Sequence, residues 1–474
     1  MRIKCKSAKL ITRFYQLGIS AFFLLFSISG ISQTDTTEIQ IAKISINGNF
    51  KTQERIVLIA SGISVADSYQ KDQLDAKLKE AENNIQNTDL FNSVAISSLP
   101  LNDSLTELII TVAERWYLWP LPIFENADPN FNTWWENKDF SRINYGMILM
   151  KQNFRGRGEE LGGLIQLGYS KRFALLYDAP YASPKGKSGV KVYAGYDQQN
   201  QITVSTQDNK RIFHTGTNGN TREQWQVKLG FLQRHKVITT HTLWAAYKNY
   251  KVDKEVIVAN PDYFADSTSQ IGFFELSYLF KHDKRDYKHY PLNGYYLDAM
   301  LTQSGIGITK DVALSTLEVT AKKFGHIKGR FYAAIGGFGK TTLQKDIPYV
   351  LQKGLGYDHY VRGYEYYVLD GNHYGVLKSN IKYELIKKKT HLIPFIKNSK
   401  FNKFYYATYL NIFTDFGYVQ NNFSGAENSL SNQWLASFGL GLDFLTYYDT
   451  VIRLEFSVNK QRESGFFLHF TQPI

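Results

Sequence analysis

The chain has 474 residues, of which only 21% are charged and 15% aromatic, with 32 Tyr and 32 Phe and a mean hydropathy of −0.31. No run of about 18 or more apolar residues occurs, which excludes a helical membrane span. The formal net charge of +12 is uneven: positions 1–32 carry +5, positions 33–118 carry −5, and the remainder carries +12.

The first 32 residues read as a secretory signal peptide. Arg2, Lys4, Lys6, Lys9 and Arg13 precede a short apolar run from Leu17 to Ile28, and Gly30-Ile31-Ser32 offers a small-x-small cleavage site. The single cysteine, Cys5, lies inside this segment, so no disulfide, thiolate metal site or cysteine nucleophile is expected after cleavage.

Residues 37–116 read as a small α+β unit in the order β-α-α-β-β. Ile39, Ile41, Ile44 and Ile46 mark a first strand ending at Asn47-Gly48-Asn49, and Thr52-Gln53-Glu54 opens a short helix. A second helix carries Leu74, Leu78, Ala81 and Ile85 on one face. Strands over Val94–Ser97 and Leu105–Glu114 flank the turn Leu101-Asn102-Asp103-Ser104.

From 117 to 139 the prolines 120 and 122 and the tryptophans 134 and 135 suggest a linker. Beyond it, from 140 to 474, the period is two. Trp225, Val227, Leu229 and Phe231 alternate with Gln226, Lys228 and Gly230, and Ile452, Leu454, Phe456 and Val458 alternate with Arg453, Glu455, Ser457 and Asn459. About sixteen such segments at a mean spacing of roughly 21 residues fit a sixteen-stranded antiparallel transmembrane barrel with short and long connections in turn. A closed barrel satisfies its backbone without helices and keeps mean hydropathy low, because one face of each strand is polar. A soluble sandwich has the same local period but not so many aromatic segments facing charged ones. A basic barrel favours contact with the phosphates of outer-membrane lipids over nucleic acid, for which no basic helix or aromatic motif is present.

Three chemical motifs fail on inspection. Gly336-Gly337-Phe338-Gly339-Lys340-Thr341 has Ala334 where a phosphate loop needs glycine, and no helix follows. His282, Asp283, Asp286 and His289 read as turn chemistry, with no scaffold to converge them on a metal. No G-x-S-x-G elbow exists. No catalytic residue, metal or cofactor is therefore expected. Lys387, Lys388 and Lys389, with Lys397, Lys400 and Lys403, read as a solvated basic connection after strand twelve that could meet phospholipid headgroups.

Several stretches resemble the BamA/TamA-type outer-membrane assembly and translocation proteins, in which POTRA units precede a sixteen-stranded surface-antigen barrel. Ile46 to Thr52 is similar to the POTRA opening, and Thr88 to Val94 to the t-x-x-F-x-x-V that ends its second helix. Asn153 to Glu159 resembles the first extracellular turn; Asp283 to Asp286 and Pro291 to Gly294 resemble the turn before strand nine. Val361-Arg362-Gly363-Tyr364 resembles the V-R-G-F/Y of the loop after strand eleven, and Phe413-Thr414-Asp415-Phe416-Gly417 the strand-thirteen motif. The chain departs from the family pattern in having room for one POTRA unit and in ending Gln472-Pro473-Ile474.

The resemblance implies a loop that folds back into the barrel, with Arg362 meeting carboxylates on strands twelve and thirteen. Alternation supplies two: Glu384, beside Asn380 and Lys382 on the lumenal phase of strand twelve, and Asp415, beside Asn411 and Gly417 on that of strand thirteen. The resemblance also implies a non-enzymatic insertion or translocation factor of the bacterial outer membrane with its POTRA unit in the periplasm. Its partners would be unfolded outer-membrane or secreted clients and accessory periplasmic or lipoprotein subunits. A passive pore on the same scaffold is the alternative. The signal predicts cleavage near Ser32; N-terminal sequencing of outer-membrane material should begin near Gln33, and an intact Met1 would contradict it.

Overall fold

The computed structural model describes residues 38–126, 143–217, 219–264, 267–306, 312–344, 347–398, 400–421 and 428–470. The expected signal segment, Cys5, Trp134, Trp135 and the final Gln472-Pro473-Ile474 lie outside them.

The N-terminal domain comprises β1 (Glu38–Asn47), α1 (Glu54–Ser61), β2 (Ser68–Gln70), α2 (Lys71–Gln86), β3 (Phe91–Pro100) and β4 (Leu105–Glu114). The sheet order is β2-β1-β4-β3, with β1 and β4 parallel. The periodic residues of α2, Leu74, Leu78, Ala81 and Ile85, are its buried ones. With Ile56, Val57 and Ala60 of α1 they cover Ile41, Leu108, Ile110 and Val112 of the sheet. Each such Leu, Ile or Val side chain stabilises the domain by about 1.5–3 kcal/mol. The three-residue β2, absent from the expected order, adds a short antiparallel edge to β1.

The second sheet has sixteen antiparallel strands in sequential order, from Leu118–Asn126 to Ser464–Phe470. The stretch from 117 expected to be linker therefore enters the barrel at once, since Leu118–Asn126 pairs with strand two (Ile143–Phe154). The tolerance of Pro120 and Pro122 has a physical reason. Residues two apart point their backbone groups to one side of a strand, and a proline can sit where that side has no ladder partner. Among the described residues strand one pairs only with strand two, and strand sixteen only with strand fifteen.

Alternation sorts the wall. Trp225, Val227, Leu229 and Phe231 of strand six (Arg222–Lys236) are 41–56% exposed and make part of the apolar outer band. The polar phase lines the lumen. Strands twelve (His373–Leu392) and thirteen (Lys403–Gln420) are the longest, so Lys387, Lys388 and Lys389 belong to a strand, and the connection is 393–402.

The N-terminal domain sits on one mouth of the barrel. The turn 153–158, resembling an extracellular one, lies at this mouth instead: Asn153 Nδ2 donates to Thr52 Oγ1 at 2.8 Å, and Gln53 N donates to the Gly156 carbonyl at 2.9 Å. Gly156, at φ +72°, comes so close that a Cβ would lie 2.0 Å from the Lys51 carbonyl oxygen. Strand parity reverses the expected assignment: strand one leaves the domain upward, so strand two returns to it.

A charged joint completes the contact. Asp89, at the end of α2, accepts from His289 Nε2 at 2.7 Å and pairs with Lys288, while Arg115 Nη2 meets Asp449 at 2.5 Å. Asp89, His289 and Asp449 offer ligand atoms within 4.8 Å of one another, but Lys288 and Arg115 already neutralise the carboxylates, so the group is an ion-pair joint. Burial raises the Asp89 carboxyl, yet the His289 hydrogen bond and the Lys288 charge outweigh it and hold it at about 2. Because that value is depressed, the joint contributes stability at pH above about 4 that is lost as pH falls through about 2. Asp89→Asn should weaken docking by about 1–3 kcal/mol and flatten this acid dependence. Hydrogen exchange at 87–92 and limited proteolysis near Trp116 would measure both.

Candidate functional site: the inward-folded loop

The loop between strand eleven (Phe331–Thr342) and strand twelve returns into the lumen. Its packing begins with aliphatics: Val361 and Leu355, each 1% exposed, join Leu369, Val376, Val419 and Leu435 in one buried cluster. Close approach of loop to wall needs the smallest residue opposite. A Cβ on Gly417 would lie 2.4 Å from Val361 Cγ2, which explains glycine at that position of the strand-thirteen motif. Gly363 adopts φ +85° and stays against the wall, its carbonyl accepting from Asn459 Nδ2 at 3.0 Å. Tyr364, 2% exposed, donates to Gln461 Oε1 at 2.5 Å in the turn before strand sixteen.

Arg362 is 1% exposed. Its Nε and Nη2 form a two-pronged contact with Asp415 at 2.8 and 2.6 Å, and its own backbone N donates to the same carboxylate at 3.1 Å. Phe413 places its ring 3.8 Å beneath the guanidinium carbon. A planar fork suits both the carboxylate and the ring, which an ammonium would not match.

The second carboxylate is Glu455, not Glu384. Arg362 Nη1 reaches Glu455 Oε1 at 3.2 Å on strand fifteen (Val451–Asn459). Glu384 is turned inward at 9% exposure but accepts from Tyr409 at 3.2 Å. Register is the reason. Opposite Asp415 on strand twelve stands Lys378, while Glu384 stands opposite Tyr409, six residues and about 20 Å along the strand. Alternation gives the face of a residue but not its height.

Beyond Glu455 the charges continue. Arg453 Nη1 lies 3.5 Å from Glu455, and Arg453 Nε donates to Asp443 at 2.7 Å. Tyr290 in the turn before strand nine donates to Asp443 at 2.8 Å. The result is an alternating row, Asp415–Arg362–Glu455–Arg453–Asp443, spanning strands thirteen to fifteen. Arg453 and Glu455 were visible in the sequence as the polar phase of strand fifteen, but nothing there tied them to the loop. His469 of strand sixteen brings Nε2 to 3.5 Å from Glu455, and its ring stacks on Tyr360 of the loop at 5.9 Å.

The other sequence candidates lie elsewhere. Gly336 to Thr341 forms part of strand eleven. His282 bonds Thr239, Asp283 holds Arg285, and Asp286 accepts from the Leu292 backbone, so that set does not converge.

Breaking a buried pair by removing one partner costs about 3–5 kcal/mol, and water in the lumen favours the lower end for Arg362→Ala. A double-mutant cycle with Asp415→Asn should show coupling of about 1–3 kcal/mol in thermal unfolding. Glu455→Gln should loosen the loop to external protease while Glu384→Gln leaves it unchanged. The opposite pattern would refute the assignment of the second carboxylate.

Residues 39–115 match the POTRA model, the surface antigen variable number repeat, and residues 153–471 match the Omp85 superfamily domain. No curated protein is matched by this chain. Among solved structures it is similar to CdiB from Escherichia coli, at 12% identity and a TM-score of 0.53, over 92% of this chain and 74% of that one. It is also similar to BamA from Haemophilus ducreyi lacking POTRA domains 1–3, at 15% identity and a TM-score of 0.49, over 91% and 83%. With the family model spanning most of the barrel and a single POTRA unit in front, the chain belongs to the Omp85 superfamily of outer-membrane β-barrels.

Proposed function

We propose that this protein is a non-enzymatic factor that assembles polypeptides into the outer membrane or moves them across it, with its POTRA domain in the periplasm. The observation that carries the reading is the unpaired seam. The first and last barrel strands are not paired with each other among the described residues. On strand one, Pro120 and Pro122 remove two N–H donors from one edge. An unpaired edge templates an incoming strand, and a seam poor in hydrogen bonds opens at low cost.

Two further features support it. The POTRA sheet ends in β3, whose outer edge can accept an extended client by strand addition. The inward loop touches the seam, with Tyr360 stacked on His469 and the Tyr366 ring tilted against Phe467, so loop position and seam opening are mechanically linked. A passive pore, the alternative, needs an open lumen. Here the loop packs into the lumen against the wall, and a second apolar cluster of Tyr263, Phe264, Val256, Ile202 and Ile347 covers the far mouth.

Depletion should lower the folded, heat-modifiable fraction of several outer-membrane or exported proteins before growth stops. An unaltered surface proteome would favour the passive barrel. Restoring the hydrogen-bond donors with Pro120→Ala/Pro122→Ala should slow client handling, because it tightens the seam without touching the lumen.

A further inference from the structure

Three cavities lie in a row from the periplasmic side to the underside of the loop. The outermost, about 660 Å³, is a cleft between the POTRA helices and the barrel turns at Lys185–Lys187 and Val237–Ile238. The second, about 450 Å³, lies just inside the barrel mouth and shares Asn84, Arg234, Val237 and Ile238 with the first. The third, about 370 Å³, lies beneath His359, Tyr360 and Arg362 of the loop. It adjoins the second where Lys281 lies over the Tyr296 ring at 5.7 Å and Asp283 holds Arg285 at 2.7 Å.

Some cations on the walls of this row have no carboxylate in ion-pair range among the described residues. Lys187 and Lys236 flank the entrance. Arg234 stands at the neck, where it donates only to the carbonyls of Gly186 and Pro180 and lies 4.5 Å over the Tyr181 ring. In the inner chamber Lys322 and Lys378 occupy one level, each in register with Gly336 between them. Neighbouring strands are about 4.8 Å apart, so the two backbones stand about 10 Å apart across a floor without a side chain. The acids lining the route are already engaged: Glu80 with Lys77, Asp283 with Arg285, and Asp298 as acceptor from the Tyr296 hydroxyl at 2.5 Å.

We propose that this row is a track for an acidic, extended segment of client polypeptide, which enters sideways between the POTRA helices and the turn at Val237–Ile238. The proposal rests on the client-handling reading above and adds to it an entrance and a charge preference. Two aspects of the row favour a polypeptide over a lipid. It leads away from the bilayer toward the cations of the inner chamber, past a wall that mixes Thr240, Thr242 and Asn84 with Leu232, Trp244 and Leu279, which suits the mixed side chains of a polypeptide better than an acyl chain. It also ends at Arg362, where an arriving carboxylate would compete with Asp415 and Glu455 and so loosen the loop.

The test uses full-length protein in detergent micelles and a fluorescent peptide of alternating glutamate, glycine and serine, against its lysine counterpart. The acidic peptide should bind and the basic one should not. Binding should fade as salt rises from about 0.05 to about 0.5 M, because charge attraction is screened. Lys322→Gln/Lys378→Gln should weaken it about tenfold, and Lys187→Gln/Lys236→Gln should slow association, with heat-modifiable gel migration confirming folded barrels. Equal binding of both peptides would overturn the proposal. So would binding indifferent to the inner lysine pair, which would mean an anion held at the rim only, or full displacement by anionic phospholipid vesicles, which would mean a lipid site. The depletion experiment separates the two readings. Lost outer-membrane proteins with no acidic-peptide binding would retain the function and discard the track, whereas selective binding with an unaltered proteome would discard the client role.

Discussion

A guanidinium at 1% exposure inside a barrel sets the terms for the rest of the lumen. Removing such a charge from water is costly unless opposite charges and hydrogen bonds replace the solvent. Asp415 and Glu455 replace it here, and they do so only if the loop stays folded inward. That requirement propagates. The wall must offer glycine at 417 so that Val361 can approach, and glycine at 439 so that the Phe413 ring can lie under the cation; a Cβ there would meet the ring at 2.3 Å. Glu455 must in turn be shared with Arg453, and Arg453 with Asp443. One ion pair thereby fixes side chains on three strands and the course of a long loop.

The two mouths of the barrel solve different problems. At the POTRA end the connections are mostly short, and the domain is held by polar contacts from several turns, among them Asn87 with Arg285 and Lys288, and Asp89 with His289. Such joints are specific but replaceable by water. At the other mouth most connections are long, and aromatic side chains bury one another to form a cover. Among the described residues the sheet between them is continuous except between strands one and sixteen, so the wall is stiff everywhere but at that line. A stiff wall with one weak line concentrates any opening at strands one and sixteen.

Much of this was legible in the residues. The period-two segments give a barrel, since each strand meets lipid on one face and a polar lumen on the other, and the spacing of Leu74, Leu78, Ala81 and Ile85 gives the buried face of α2. The lumenal orientation of Asp415 and Glu384 also follows from alternation, because the side-chain period of a strand is local. The prolines at 120 and 122 misled, reading as linker because a proline in a strand is tolerated only at an edge. Whether a strand lies at an edge is a property of the whole sheet.

The sequence by itself determined which residues face lipid, which face inward and which loop carries the arginine, because these depend on near neighbours along the chain. Only the tertiary structure decided that Arg362 meets Glu455 and not Glu384, that the turn at 153–158 lies against the POTRA domain, and that Lys322 and Lys378 share one level. Each of these depends on register and on the stagger accumulated around the barrel, by which residues distant in sequence reach the same height. Hydrophobic alternation repeats every two residues and is blind to that height, so the face of each side chain was written locally and its partner was not.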